Sequence, residues 1–109
     1  MFRVKVSYAQ VEALYALFTE LMSLGNKGVS FGTMEARLCY LLLHGIYEKL
    51  HRMIVPVGGK RKKKYMLTLS EVESLSFYLF FQMYSIPPHH AFADVTINAI
   101  SQHIDQQFI

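Results

Sequence analysis

Apolar residues recur along the first quarter of the chain at the three- and four-residue spacing of one helix face. This pattern predicts a first helix from about Tyr8 to Leu24. The positions on its apolar face are Val11, Leu14, Tyr15, Phe18, Leu21 and Met22. Gly25 is expected to end the helix, because glycine readily adopts the left-handed conformation that is common just past a helix C-terminus.

A second apolar periodicity predicts a helix that begins with Ser30 or Thr33 as its cap and continues to about Met53. The residues expected on its buried side are Leu38, Leu42, Ile46 and Met53. Gly45 lies inside this helix, where glycine costs about 1 kcal/mol relative to alanine. It indicates either a close helix crossing or a break that divides the helix in two. Pro56 ends the helical pattern.

The third predicted helix follows Ser70, runs to about Ser85 and is apolar on almost every side. A helix of this kind lies at the centre of a core or inside an interface. The aromatic residues expected at that core or interface are Phe77, Phe80, Phe81 and Tyr84. Pro87 and Pro88 then interrupt the chain.

The fourth predicted helix begins between Pro88 and Ala91 and runs close to the C-terminus. Proline is tolerated in the first turn of a helix, so Pro88 is compatible with this start. The apolar stripe of the helix consists of Ala93, Ile97, Ile100, Ile104 and Phe108.

Two short stretches of alternating apolar residues resemble each other, and each leads into a serine that is followed three residues later by glutamine or glutamate. The two series are Phe2–Val6, Ser7 and Gln10, and Tyr65–Leu69, Ser70 and Glu73. This order predicts a short strand followed by a capping box, in which the two side chains accept hydrogen bonds from free backbone N–H groups. The chain would then be a strand–helix–helix pseudo-repeat with its two strands paired, unless the similarity arose by chance.

The predicted fold is therefore mostly α, with four main helices and one or two short strands in a single compact domain over residues 1–109. Hydrophobic residues make up 52% of the chain, at the top of the usual range for a globular domain. A chain of this size has too little interior to bury them all. We therefore expect a second copy to cover the remaining apolar surface, giving a homodimer.

The longest apolar runs, Leu38–Leu43 and Leu75–Phe81, are far shorter than the ~20 residues needed to span a bilayer. The N-terminal segment lacks the features of a secretory signal. A single cysteine, Cys39, excludes an intramolecular disulfide and fits a reducing compartment. These features predict a cytoplasmic protein without a membrane span.

Positive charge is concentrated in one segment. The net charge is +3, and the run Lys60, Arg61, Lys62, Lys63 and Lys64 supplies five positive charges, which leaves −2 for the remainder. With the preceding glycines, the run predicts a flexible basic loop over residues 58–64. Such a loop either contacts nucleic-acid phosphates or is simply solvated.

The segments Ile54–Val57 and Tyr65–Leu69 flank this basic run and predict a hairpin with a charged tip. A basic hairpin that follows one helix and leads into another resembles, loosely, the wing of winged-helix DNA-binding domains. The resemblance covers only this short part of the chain. It implies a turn and a recognition helix before the wing, which requires the second helix to divide at Gly45.

Two groups of histidines are candidates for metal ligation. Glu48 and His51 have the Glu-x-x-His spacing of carboxylate-bridged metal sites, and His44 lies on the same helical face. That face is opposite the apolar one, and no second Glu-x-x-His is present, so an ordinary solvated face is preferred to a metal site. His89 and His90 could bind a metal together with His103, but neighbouring side chains are expected to point in different directions.

No catalytic motif is recognisable in the chain. Cys39 lies among apolar residues, where a cysteine acts as a small hydrophobic side chain. The aromatic residues are spaced for packing and not for base stacking. We therefore expect a non-enzymatic interaction or assembly protein that acts as a homodimer, without a cofactor or small-molecule substrate. The alternative is an accessory nucleic-acid-binding protein that uses Lys60 to Lys64.

Overall fold

A computed structural model describes residues 1–26, 33–54 and 64–109. The elements in chain order are β1 (Phe2–Ser7), α1 (Tyr8–Asn26), α2 (Met34–Ile54), β2 (Lys64–Leu69), α3 (Glu71–Met83), a 3-10 turn (Pro88–His90) and α4 (Ala91–Phe108). The predicted mostly-α class with four main helices is confirmed. The radius of gyration is 13.5 Å, close to the ~13 Å of a compact domain of this length. In the described ranges, no helix is long and apolar enough to cross a membrane.

The two strands form an antiparallel pair in which Phe2 lies opposite Leu69 and Ser7 lies opposite Lys64. Their alternation turns Phe2, Val6, Leu67 and Leu69 into the core. The predicted pairing of the two pseudo-repeat strands is therefore confirmed. The predicted hairpin is wrong at Ile54, which is the last residue of α2, and residues 55–57 lie outside the described part of the chain.

Both predicted capping boxes are present. The Ser7 N–H donates to Gln10 Oε1 at 2.8 Å, and the Gln10 N–H donates to Ser7 Oγ at 3.2 Å. The same reciprocal pair occurs at α3, where the Ser70 N–H donates to Glu73 Oε1 at 2.9 Å and the Glu73 N–H donates to Ser70 Oγ at 3.1 Å. Each strand therefore passes directly into a capped helix, which is the common structural element of the two halves.

The core lies between the inner face of the sheet and the four helices. Phe18 of α1 packs on Phe77 and Phe81 of α3, with ring centroids 6.4 and 5.9 Å apart. Phe77 and Phe80 are almost completely buried, whereas Phe81 and Tyr84 are partly buried and pack against the core. The aromatic residues of α3 thus belong to the core of the chain itself.

The α4 stripe occupies the predicted side of its helix. Its buried members are Ala93, Ile97, Ile100 and Ile104, with Phe108 partly buried behind them. The Phe108 ring lies 6.5 Å from that of Phe2, so the end of α4 packs against the start of β1.

The predicted buried face of α2 is wrong for most of its length. Leu38 is 54% exposed, Leu42 is 42% exposed and Met53 is only partly buried, so Ile46 alone of the four lies in the core. The side chains that α2 buries are Ala36, Cys39, Tyr40, Leu43, Ile46 and Leu50. Six consecutive residues in the first half of the helix, Leu38–Leu43, are apolar or aromatic. The apolar pattern there is therefore compatible with more than one buried face. Contacts with the neighbouring helices determine which face is buried.

α2 runs antiparallel to α1. The hydroxyl of Tyr40 donates to the carbonyl oxygen of Met22, near the end of α1, whereas His51 contacts Tyr15, nearer its start. The helix is continuous through Gly45, so the division that a winged-helix arrangement requires does not occur. A Cβ atom added at Gly45 would lie 3.1 Å from Glu73 Oε2, which confirms the close helix crossing.

The ion pair of Lys49 and Glu73 connects three elements at this crossing. Lys49 Nζ of α2 lies 2.6 Å from Glu73 Oε1 and donates to the carbonyl oxygen of Thr68 on β2 at 2.8 Å. Burial alone would raise the pKa of the Glu73 carboxyl, but the hydrogen bonds from Lys49 and Ser70, together with the charge of Lys49, outweigh it. The pKa of Glu73 is therefore below its ordinary value.

The capping boxes predict a specific loss of stability. Ser7→Ala and Ser70→Ala each remove the oxygen that accepts the N3 backbone N–H, and each is expected to lower the free energy of unfolding by about 1 kcal/mol. Urea denaturation followed by circular dichroism measures the change. Ser23→Ala, at an exposed site within α1, is the matched control and should not destabilise the protein. Equal stability of Ser70→Ala and the parent would contradict the role of the cap.

Glu73 also predicts a pH dependence of stability. Because its pKa is lowered in the folded state, the unfolded chain binds more protons as the pH falls through the ordinary carboxylate range. The stabilisation is complete above about pH 5 and should be lost progressively below that value. Urea denaturation at several pH values should show a shallower acid loss in Glu73→Gln and in Lys49→Gln than in the parent. An unchanged pH profile in both variants would refute the assignment.

Candidate functional site

Eight large apolar side chains of α2 and α3 remain exposed, and we call them the α2–α3 apolar face. They are Met34, Leu38, Leu41 and Leu42 of α2 and Val72, Leu75, Leu79 and Met83 of α3. Their exposed fractions range from 38% at Leu79 to 72% at Met34. On each helix they recur at spacings of three or four residues, so each set forms a stripe along one side.

The two stripes belong to helices that pack against each other. The start of α3 lies beside Gly45 and Lys49, in the second half of α2. The residue that follows α3, Tyr84, lies near Glu20 in the second half of α1. Burial is the main cause that raises the pKa of the Tyr84 phenol, and the negative charge of Glu20 raises it further. The first half of α2 also lies at the end of α1. α2 and α3 are therefore antiparallel neighbours, and each carries one of the two exposed apolar stripes.

Most of the predicted basic loop cannot be compared with the structure, because residues 58–63 lie outside the described part of the chain. Lys64 is described and is the exposed first residue of β2. It borders an open groove of about 590 Å³ between the end of α2 and β2. The residues that line the groove are Lys49, Arg52, Met53, Lys64, Tyr65, Met66 and Thr68. Three of them carry positive charge, although Lys49 is paired with Glu73.

The weak metal candidates on α2 do not converge. His44, Glu48 and His51 are all exposed, as the sequence predicts for that face. His51 Nδ1 is 2.9 Å from the hydroxyl of Tyr15, and the His44 ring packs edge-on against Tyr40. Among the described residues, the ligand atoms of these three side chains do not come together on one point.

In the same described ranges, one cluster of three metal-ligating side chains does converge, and it consists of Glu20, His89 and His90. Glu20 Oε2 of α1 lies 3.3 Å from His89 Nε2 and 2.5 Å from His90 Nε2 in the 3-10 turn. The expectation that the two histidines point in different directions is wrong, because both rings face one carboxylate. His103 is not part of the cluster. The hydrogen bond from His90 is the main cause that lowers the pKa of Glu20.

This cluster is difficult to predict from the sequence. The two histidines are adjacent, but Glu20 lies 69 positions before His89 and belongs to the polar edge of an amphipathic helix. The diproline before the turn is the one local signal, because it restricts how the chain leaves α3. The partner carboxylate becomes evident only when α1 and the 3-10 turn are seen together.

Cys39 lies in the core and is 6% exposed. Burial, with a smaller contribution from the charge of Glu35, raises the pKa of its thiol. Both effects disfavour the thiolate, which is the reactive form of cysteine. The position therefore suits a packing residue better than a nucleophile.

No family model, curated protein or solved structure matches this chain. A fold alone does not identify an activity, since unrelated functions share the same architecture. The exposed apolar face, the basic groove and the Glu20–His89–His90 cluster are therefore the features from which a function is proposed.

Proposed function

We propose that this protein is a non-enzymatic, cytoplasmic interaction protein that acts as a homodimer through the α2–α3 apolar face. The observation that carries the proposal is the exposure of eight large apolar side chains on two adjacent helices. Scattered apolar residues are normal on protein surfaces, whereas continuous apolar patches mark interaction sites. The single buried cysteine, which suits a reducing compartment, supports the cytoplasmic assignment.

The exposed apolar surface is large enough to support association. The exposed fractions of the eight residues are together equivalent to about four fully exposed side chains. Burial of four such side chains contributes roughly 6–12 kcal/mol per copy, taking 1.5–3 kcal/mol each. Association costs about 4–15 kcal/mol in lost freedom of motion. Two copies together offer roughly 12–24 kcal/mol, which is comparable with this cost or larger.

A second copy of the chain fits this face better than an unrelated partner because the face is compatible with two-fold symmetry. Two antiparallel helices can pack against the same pair of a second copy and form a four-helix arrangement. Exposed Glu35 and Arg37 on α2 and Glu71 on α3 adjoin the stripes and provide both signs of charge. A polar rim around an apolar centre is the usual composition of a stable interface.

The dimer proposal is tested by placing a charge at positions that are already more than half exposed. Leu38→Glu on α2 and Val72→Glu on α3 should fold normally but bury an unpaired carboxylate in the dimer. Light scattering of the parent at micromolar to millimolar concentration should give twice the chain mass of 12.6 kDa. The two variants should give the mass of one chain, with unchanged circular dichroism spectra.

Val95→Glu is the matched control, because Val95 is 70% exposed but lies on α4, outside the proposed interface. It should remain dimeric. A parent protein that stays monomeric throughout the concentration range would refute the proposal. Dissociation by Val95→Glu but not by Leu38→Glu would place the interface on another face.

A second candidate function is binding of nucleic-acid phosphates, and the groove beside Lys64 favours it. Arg52 and Lys64 add exposed positive charge at the point where the chain leaves the basic run. A dimer would present two such regions. Within residues 1–26, 33–54 and 64–109, α2 is continuous and provides no separate recognition helix, so the binding that we propose is electrostatic and independent of sequence.

Replacement of Lys60, Arg61, Lys62, Lys63 and Lys64 by glutamine tests this second function. The parent should be retained on duplex DNA or RNA at low salt, with a salt slope no steeper than about −4.5 for five phosphate contacts. The variant should lose retention without loss of helix content. Arg3→Gln/Lys5→Gln, on the exposed side of β1, is the control and should still bind. Failure of the parent to bind, or equal retention of the five-residue variant, would reject this function.

A further inference from the structure

We propose that Glu20, His89 and His90 form a binding site for a divalent transition-metal ion, with zinc as the ion that best fits the donor set. The three ligand atoms come from α1 and from the 3-10 turn that connects α3 to α4, and they all lie within 4.8 Å of one another. None of these residues belongs to the α2–α3 apolar face. The proposal is therefore independent of the dimer.

Two separations of the ligand atoms can be compared with those that a zinc ion requires, and one of them matches. Zinc binds nitrogen and oxygen at about 2.0–2.1 Å with tetrahedral geometry, so its ligand atoms stand about 3.3 Å apart. Glu20 Oε2 and His89 Nε2 are 3.3 Å apart. Glu20 Oε2 and His90 Nε2 are 2.5 Å apart and would have to separate by about 0.8 Å. The Glu20 side chain is 41% exposed, so its carboxylate has room for this movement.

The donor types support zinc in preference to calcium or magnesium. Two imidazole nitrogens and one carboxylate oxygen form a set used for zinc, whereas calcium and magnesium prefer oxygen ligands alone. Both histidines direct Nε2 toward the carboxylate, which leaves each Nδ1 for a hydrogen bond to solvent or protein. With three ligands from the protein, a fourth position remains for water or another donor.

The turn holds the two rings in place before a metal binds. The His90 N–H donates to the carbonyl oxygen of Pro87 at 2.9 Å, which closes the 3-10 turn. The two imidazole rings lie with centroids 4.2 Å apart, and the His90 side chain is only 12% exposed. One ligand is therefore fixed by packing, while His89, with a side chain that is 62% exposed, leaves the site accessible to an ion.

The experiment measures zinc binding to the full chain after removal of metals. Isothermal titration and competition with a chromogenic chelator should give one zinc ion per chain. Glu20→Gln, His89→Gln and His90→Gln should each weaken binding by more than the roughly 10–100-fold caused by loss of an outer-shell partner. Zinc should also raise the thermal unfolding temperature of the parent, and to a smaller extent that of each variant.

Two controls separate this site from the other histidines. His44→Gln/His51→Gln removes the candidate ligands on α2, and His103→Gln removes the exposed histidine of α4; both should bind zinc like the parent. With His89 and His90, these are all the histidines in the chain. Absence of saturable zinc binding to the parent would overturn the proposal. It would also be overturned if binding survived Glu20→Gln and His89→Gln but failed in the α2 double variant.

Discussion

The relative position of the helices depends on the hydrogen bonds that the carboxylate of Glu73 accepts. It accepts hydrogen bonds from Lys49 of α2 and from the backbone of Ser70, so the same side chain caps α3 and holds α2 against it. Gly45 gives the carboxylate room, because a Cβ atom there would lie 3.1 Å from Glu73 Oε2. Lys49 also binds the carbonyl oxygen of Thr68 on β2, so the sheet is tied to the same point. Rotation of α2 about its axis would break the contacts of Lys49 with Glu73 and with Thr68.

This constraint explains why an apolar surface remains outside. With Gly45 and Lys49 directed at α3 and Tyr40 at α1, the residues left on the outer side of α2 include Leu38 and Leu41. If Leu38 and Leu41 were buried instead, Lys49 would separate from Glu73. Each charge would then be unpaired in a partly buried site, which would destabilise the fold. The chain therefore keeps its internal ion pair and exposes leucine.

The parts of the fold that could be predicted from the sequence are those set by local chemistry. The Ser7 and Ser70 caps depend on residues three positions apart, and the α4 stripe depends on an apolar pattern with one clear face. The buried face of α2 could not be predicted in the same way, because every residue of the segment Leu38–Leu43 is apolar or aromatic, including the small Cys39. Such a segment can bury any side. The choice depends on Glu73 and Met22, which are distant in sequence, and no local pattern contains that information.

The same distinction applies to the candidate ligands. The residues His44, Glu48 and His51 have a regular spacing, yet spacing on one helix only places side chains on a common face, and here that face is solvated. A metal site needs donors that converge on a point, which usually requires a second element. Glu20 and His90 meet this condition because the turn after Pro87 returns the chain to α1. The side chains of adjacent histidines leave the backbone in different directions. The histidine side chain is nevertheless long enough for both Nε2 atoms to reach one carboxylate. Convergence of this kind is a property of the folded chain, and sequence spacing alone does not reveal it.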